Sequence, residues 1–166
     1  MLHLKSYPDP ILREKCLEVK SFDPKTMRSI YHDMVKIMKE ENGIGLAAPQ
    51  VGINKRFIVC QDNEGKNHLM INPVITWTSD DLVILKEGCL SYPGLFRLIK
   101  RPRQVKVKYL TIDKNTETKQ ADGWFARCLL HETDHLQGIL YTDYPNEDIM
   151  TKKELKEVRD WGLECL

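Results

Sequence analysis

The stretch CLLHETDHLQG, residues 128–138, sets the reading of the whole chain. It carries two of the five histidines, four residues apart, with Glu132 directly after the first. Trp124, Phe125, Cys128, Leu129, His135 and Leu136 recur at helical spacing, and no proline interrupts them. Asp122 stands where an N-cap belongs, and Gly138 suits a left-handed stop. The spacing predicts a helix, and on a helix residues i and i+4 share a face, so His131 and His135 can reach one ion. Glu132 points about 100° around from His131, so it can approach a metal-bound water without being a ligand. The pattern alone leaves two readings open, a metal-binding catalytic helix or a helix that happens to carry two histidines. Two imidazoles are also only half a site, because a catalytic metal usually takes three protein ligands and keeps one position for water.

Outward from this helix the pattern is α+β. DPKTMRSIYHDMVKIMKEENG (23–43) reads as a helix with Asp23 as cap, Pro24 in the first position and Gly43 after the end. Its stripe of Met27, Ile30, Tyr31, Met34, Ile37 and Met38 reads as core packing. PILREKCLEV (10–19) reads as a brief helix. The middle is β-rich: RFIVC (56–60), HLMINPVI (68–75), LVILKEGCL (82–90) and QVKVKYLTI (104–112) are short, branched and partly alternating. QDNEGKN (61–67) reads as a hairpin turn, and DKNTETKQADG (113–123) as a turn leading through a further strand to the histidine helix. TKKELKEVRDWGLECL (151–166) reads as a C-terminal helix with Thr151 and Glu154 as a capping box. The expected fold is mainly antiparallel strands around a central helix carrying the histidines, plus this C-terminal helix.

Bulk properties bound the function. At 166 residues, with 42% hydrophobic and 30% charged residues, residues 1–166 read as one globular domain. A net charge of +1 gives no long-range pull toward DNA or a membrane. The N-terminus lacks a basic start followed by an apolar core, and no stretch approaches the length of a membrane span. Five cysteines without pairing rhythm argue for free thiols in a reducing compartment, with the cytoplasm as default.

Two further stretches stand out. ENGIGLAAPQVG (41–52), taken alone, favours a helix stop and a tight turn. EGCLSYPG (87–94) ends an apolar strand with Cys89, which by itself would be a buried core thiol. Together and in this order, GIGLAAPQ, EGCLS and HETDHLQG resemble the signatures of the peptide deformylases, a family that removes the N-formyl group from nascent polypeptides. The resemblance runs from DPILR near the N-terminus to the histidine helix. It implies that Cys89, His131 and His135 hold the metal, with water in the fourth position. Leu130, Trp124 and Tyr92 depart from the commonest family pattern, which bears on the substrate pocket.

These residue types suit formamide hydrolysis. A bound divalent cation can lower the pKa of water from ~15.7 to about 7. Glu132 can take the proton and later pass it to the leaving amine. Gln50 carries a neutral amide donor for the carbonyl oxygen, and the resemblance implies that it acts with the backbone N–H of Leu90. One thiolate and two imidazoles suit zinc and ferrous iron alike. The resemblance implies Fe2+ natively, with Zn2+, Ni2+ or Co2+ as other occupants. The resemblance implies that Glu87 and Arg101 pair near the Cys89 strand in support of the site, with a plain surface ion pair as the other reading. The implied substrate, an N-formylmethionyl nascent peptide, would add as a strand beside Ile44, Gly45 and Leu46. Gly88 is expected to contact it, and Ile44, Leu85, Trp124 and Cys128 are expected to wall the methionine pocket. Competing readings are another H-E-x-x-H metallohydrolase or peptidase, and a non-catalytic module that binds nascent chains or the ribosome. The basic run LIKRPRQVKVK (98–108) could touch ribosomal RNA but reads as a solvated strand edge.

Overall fold

The computed structural model of the chain describes residues 2–147. The predicted C-terminal helix at 151–166 lies outside the described residues.

Helix α1 (Pro24–Glu40) forms where its caps and stripe predict. The Asp23 carboxylate accepts the Thr26 N–H at 2.9 Å, and Pro24 opens the first turn. Met27, Met34 and Met38 are buried. The helix ends at Glu40, and Gly43 follows the end as expected. Asn42, not Gly43, takes the left-handed backbone with φ 56°, and the Gly43 N–H closes on the Met38 carbonyl at 2.8 Å. A Cβ on Gly43 would meet the end of the Leu90 side chain at 2.8 Å, so a larger residue there would require Leu90 to shift.

Seven strands follow: β1 (Gly45–Ala47), β2 (Phe57–Gln61), β3 (Asn67–Thr78), β4 (Leu82–Cys89), β5 (Tyr92–Pro102), β6 (Gln104–Leu110) and β7 (Thr116–Asp122). Five make an antiparallel sheet in the order β1-β2-β3-β6-β7, while β4 and β5 pair as a sheet of their own. Residues 61–67 make the expected hairpin, with Gln61 opposite Asn67. β3 is bulged at Asn72–Pro73, where the ladder slips. Asn72 sits at φ 50°, and its side chain both accepts from and donates to the Val19 backbone at 2.9 Å. A proline can stand here because a bulge spares it the missing ladder donor.

The large sheet is covered on both faces. Along β2, Phe57 and Val59 join the core beneath α1, while Ile58 and Cys60 join the core beneath α2 (Gly123–His135). Period-two alternation thus divides one strand between two cores. β6 alternates more simply, with Val105, Val107 and Tyr109 inward and Lys106 and Lys108 outward.

Three expectations are corrected. PILREKCLEV gives only a 3-10 turn at Pro10–Arg13. Beyond it the backbone is claimed elsewhere: the Cys16 N–H bonds to the Leu136 carbonyl at 3.0 Å and Leu17 bridges to Lys55. The run 98–108 is a strand edge only in its first half: residues 98–102 lie in β5, paired with β4 alone among the described residues, while residues 104–108 lie in β6 between β3 and β7, and Arg101 turns inward. Asp122 precedes α2 but does not cap it, since its carboxylate is held by Arg103 and Gln104. Asn63, from the β2–β3 turn, accepts the Phe125 N–H at 3.2 Å instead. At the other end Gly138 has φ 72°, and a Cβ there would lie 2.4 Å from the Arg13 carbonyl oxygen, so only glycine fits.

Candidate active site

A cleft of about 1090 Å³ opens between the β1 edge, the start of α2 and the β4–β5 hairpin. Cys89 ends β4, and His131 and His135 lie one turn apart on α2. Their ligand atoms all fall within 4.8 Å of one another, with Cys89 Sγ 3.3 Å from His135 Nε2. His131 Nδ1 faces the Glu87 carboxylate at 2.9 Å, which leaves its Nε2 for the cluster. Glu87 is itself gripped by Arg101 through Nε at 2.6 Å and a second guanidinium nitrogen at 3.1 Å. Burial alone would push the Glu87 carboxyl up. The His131 hydrogen bond and the Arg101 charge outweigh it and hold the group well below the usual carboxylate range.

The two imidazoles are pushed apart. Burial opposes a charge on His131, but hydrogen bonds to Cys89 and Glu87 overcome it and raise the ring well above its ordinary value. Burial and the neighbouring His131 charge hold His135 well below. The donors fit a divalent cation on the structure's own terms. They converge, with both imidazoles buried and Cys89 half-buried, and among the described residues Glu132 Oε2 beside them has no hydrogen-bond partner. A buried carboxylate oxygen without a donor calls for an ion or water beside it.

Glu132 lies on α2 between the two histidines, and burial pushes its carboxyl up to about 7 against the pull of the His131 charge. It packs directly on β1. A Cβ on Gly45 would meet Glu132 Oε1 at 2.4 Å and Cys128 Sγ at 2.6 Å. Gly45 therefore exists to let the helix carboxylate approach the strand backbone. Gln50, buried in the 3-10 turn Ala48–Val51, has a fixed orientation. Its oxygen accepts the Ala47 N–H at 2.8 Å, so its amide nitrogen must point into the site, toward Ser91 Oγ at 3.2 Å and Cys89 Sγ at 3.5 Å.

Of the residues expected to meet substrate, Ile44, Gly45, Gly88, Leu90, Trp124 and Cys128 line the cleft. Cys128 Sγ donates to the Ile44 carbonyl at 3.2 Å. Leu46 and Leu85 do not line it; both are fully buried, Leu46 in the core beneath α1. Two contributors carry no local signal in the sequence: Ser91 stands inside the CLS motif without an assigned role, and Arg127 is a single cation on a helix.

One soft thiolate and two borderline nitrogens make a donor set for a zinc- or iron-type ion rather than magnesium or calcium. Set in a cleft beside a buried carboxylate, on an α+β scaffold, they define the class: a metal-dependent enzyme. Residues 1–151 match the family model described as polypeptide deformylase, and the chain belongs to that family. It is 43% identical over 141 residues to a peptide deformylase of Maricaulis maris (strain MCS10), covering 82% of this chain and 80% of that one. The crystal structure of a probable peptide deformylase from Synechococcus phage S-SSM7 superposes with a TM-score of 0.82 at 45% identity, covering 87% of this chain and 100% of that one. The peptide deformylase from Thermotoga maritima gives 0.82 at 36% identity, covering 87% and 97%.

Proposed function

We propose that this chain is a single catalytic domain that hydrolyses the N-formyl group from peptides beginning with formyl-methionine and releases formate. The observation that carries the reading is the convergence of Cys89, His131 and His135 beside Glu132 and the inward amide of Gln50. In this reading Cys89, His131 and His135 hold one divalent metal, Fe2+ natively, with zinc, nickel or cobalt able to occupy the same donors. When bound, such an ion supplies Lewis acidity and lowers the pKa of water.

The chain's own groups do the rest. Glu132 Oε2 takes a proton from the attacking water and delivers it to the leaving amine. The Gln50 amide N–H and the Leu90 backbone N–H donate to the formyl oxygen as it gains charge. The substrate backbone pairs with the open edge of β1. Main-chain groups of successive residues point to opposite sides of a strand. The Ile44 carbonyl is taken by the Gln61 N–H at 2.8 Å, so the N–H and C=O of Gly45 face the cleft. Ile44, Trp124 and Cys128 then wall the methionine side chain.

The test is anaerobic purification, metal analysis and a formate-release assay on formyl-Met-Ala-Ser. Formate release dependent on the bound metal is expected. Cleavage at internal peptide bonds without formate would favour a peptidase, and metal-free binding of the peptide without turnover would favour a binding module.

A further inference from the structure

The three proposed ligands reach the cluster from two separate bodies. His131 and His135 ride on α2, which packs against the five-stranded sheet. Cys89 ends β4, in a hairpin that belongs to a different sheet. Among the described residues no ladder of backbone hydrogen bonds joins these two bodies, so something else must fix the thiol against the imidazoles.

Buried charge joins them. Glu87 lies two residues before Cys89 and accepts hydrogen bonds from Arg101 of β5, from His131 and from Arg127 of α2, the last at 2.7 Å. Arg101 also reaches Asp134 on α2 at 2.6 Å. Arg127 does more than add a second cation. It donates to the Ile99 carbonyl on β5 at 2.8 Å and to the Val83 carbonyl on β4 at 2.7 Å. One guanidinium from the ligand helix thus touches both strands of the thiol hairpin and the carboxylate that orients His131. Two carboxylates, Glu87 and Asp134, balance two guanidiniums, Arg101 and Arg127.

We propose that Arg127 is a positioning residue that sets Cys89 against His131 and His135, so that metal affinity depends on it although it is no ligand. The inference rests on the ligand assignment made above. A planar fork with several fixed donors can satisfy three acceptors at once, and a lysine ammonium cannot match that geometry. Groups that hold metal ligands in place are typically worth 10- to 100-fold in affinity. Removing one partner of a buried ion pair destabilises the fold, because Glu87 loses one of its cations and the Ile99 and Val83 carbonyls lose this donor. Arg127→Lys keeps the charge and loses the fork, so it is the variant in which stability and metal binding separate.

The experiment titrates Co2+ into the metal-free full chain against a competing chelator, and follows the thiolate-to-cobalt charge-transfer absorption that reports Cys89. Arg127→Met, folded by circular dichroism, is expected to lose roughly 10- to 100-fold in affinity together with most of that absorption. Arg127→Lys should fall between it and wild type. Affinity within twofold of wild type and an unchanged absorption band in Arg127→Met would overturn the proposal. Should Arg127→Met fail to fold, Arg127→Lys decides by the same two readings. Cys89→Ala keeps the two failures apart: if it binds Co2+ as wild type does, the ligand assignment itself is wrong. If it loses the metal while both Arg127 variants keep it, only the positioning role falls.

Discussion

Glu132 pays a stability cost for standing where it does. Its carboxyl is buried, one oxygen has no donor among the described residues, and its folded pKa of about 7 lies above the ordinary value of 4.5. Between those values the folded chain holds a proton that the unfolded chain has released, so stability falls as pH rises from about 4.5 to about 7. Metal-free Glu132→Gln should therefore be more stable than metal-free wild type at pH 8, by roughly 1–3 kcal/mol, with the gap closing toward pH 4.5. Thermal melts at both pH values check this. The same variant should keep its metal and lose activity by at least ~10²-fold, since an amide cannot accept the proton. Wild-type turnover would end the proton-transfer scheme. Gln50→Ala should lower kcat by roughly 10²–10³ with metal retained, and an effect confined to KM would reduce Gln50 to a substrate-positioning group. The side chains that were legible in the sequence are those with local grammar. His131, Glu132 and His135 announce themselves by helical spacing. Arg127 and Ser91 do not, because every partner of Arg127 lies 28 to 44 residues away and a lone helix cation reads as solvated.

At the scale of elements, α1 was legible because cap, proline and stripe agree. β5 was not, because Tyr92–Pro102 contains Pro93 and Gly94 and mostly exposed early positions; its extended form comes from pairing with β4. β1 is only three residues, Gly45, Leu46 and Ala47, and only the ladder with β2 makes it a strand. The same contrast between local and distant causes can be measured at two glycines. Gly65 and Gly138 both have left-handed backbones, at φ 82° and 72°, but a Cβ at Gly65 meets nothing within 4 Å. Gly65→Ala should cost about 1 kcal/mol of backbone strain. Gly138→Ala adds an overlap with the Arg13 backbone and should cost roughly 2–4 kcal/mol. Equal costs in denaturant melts would mean that the α2 exit relaxes freely.

For the whole molecule, the proposed metal is also a fastener between the β4–β5 hairpin and α2. Stripping it with a chelator should lower the thermal midpoint and raise amide exchange across residues 82–102 by ~10-fold or more, with β2 and β3 largely unchanged. A uniform rise would show that the hairpin does not open as a unit. The β4–β5 hairpin leaves the large sheet after Thr78 and returns at Val105, and those two residues are paired partners in adjacent strands. The excursion therefore starts and ends at one place. It is a cassette inserted between neighbouring strands, and any replacement placed there must carry its own thiol, carboxylate and guanidinium to meet Arg127 and Asp134 of α2.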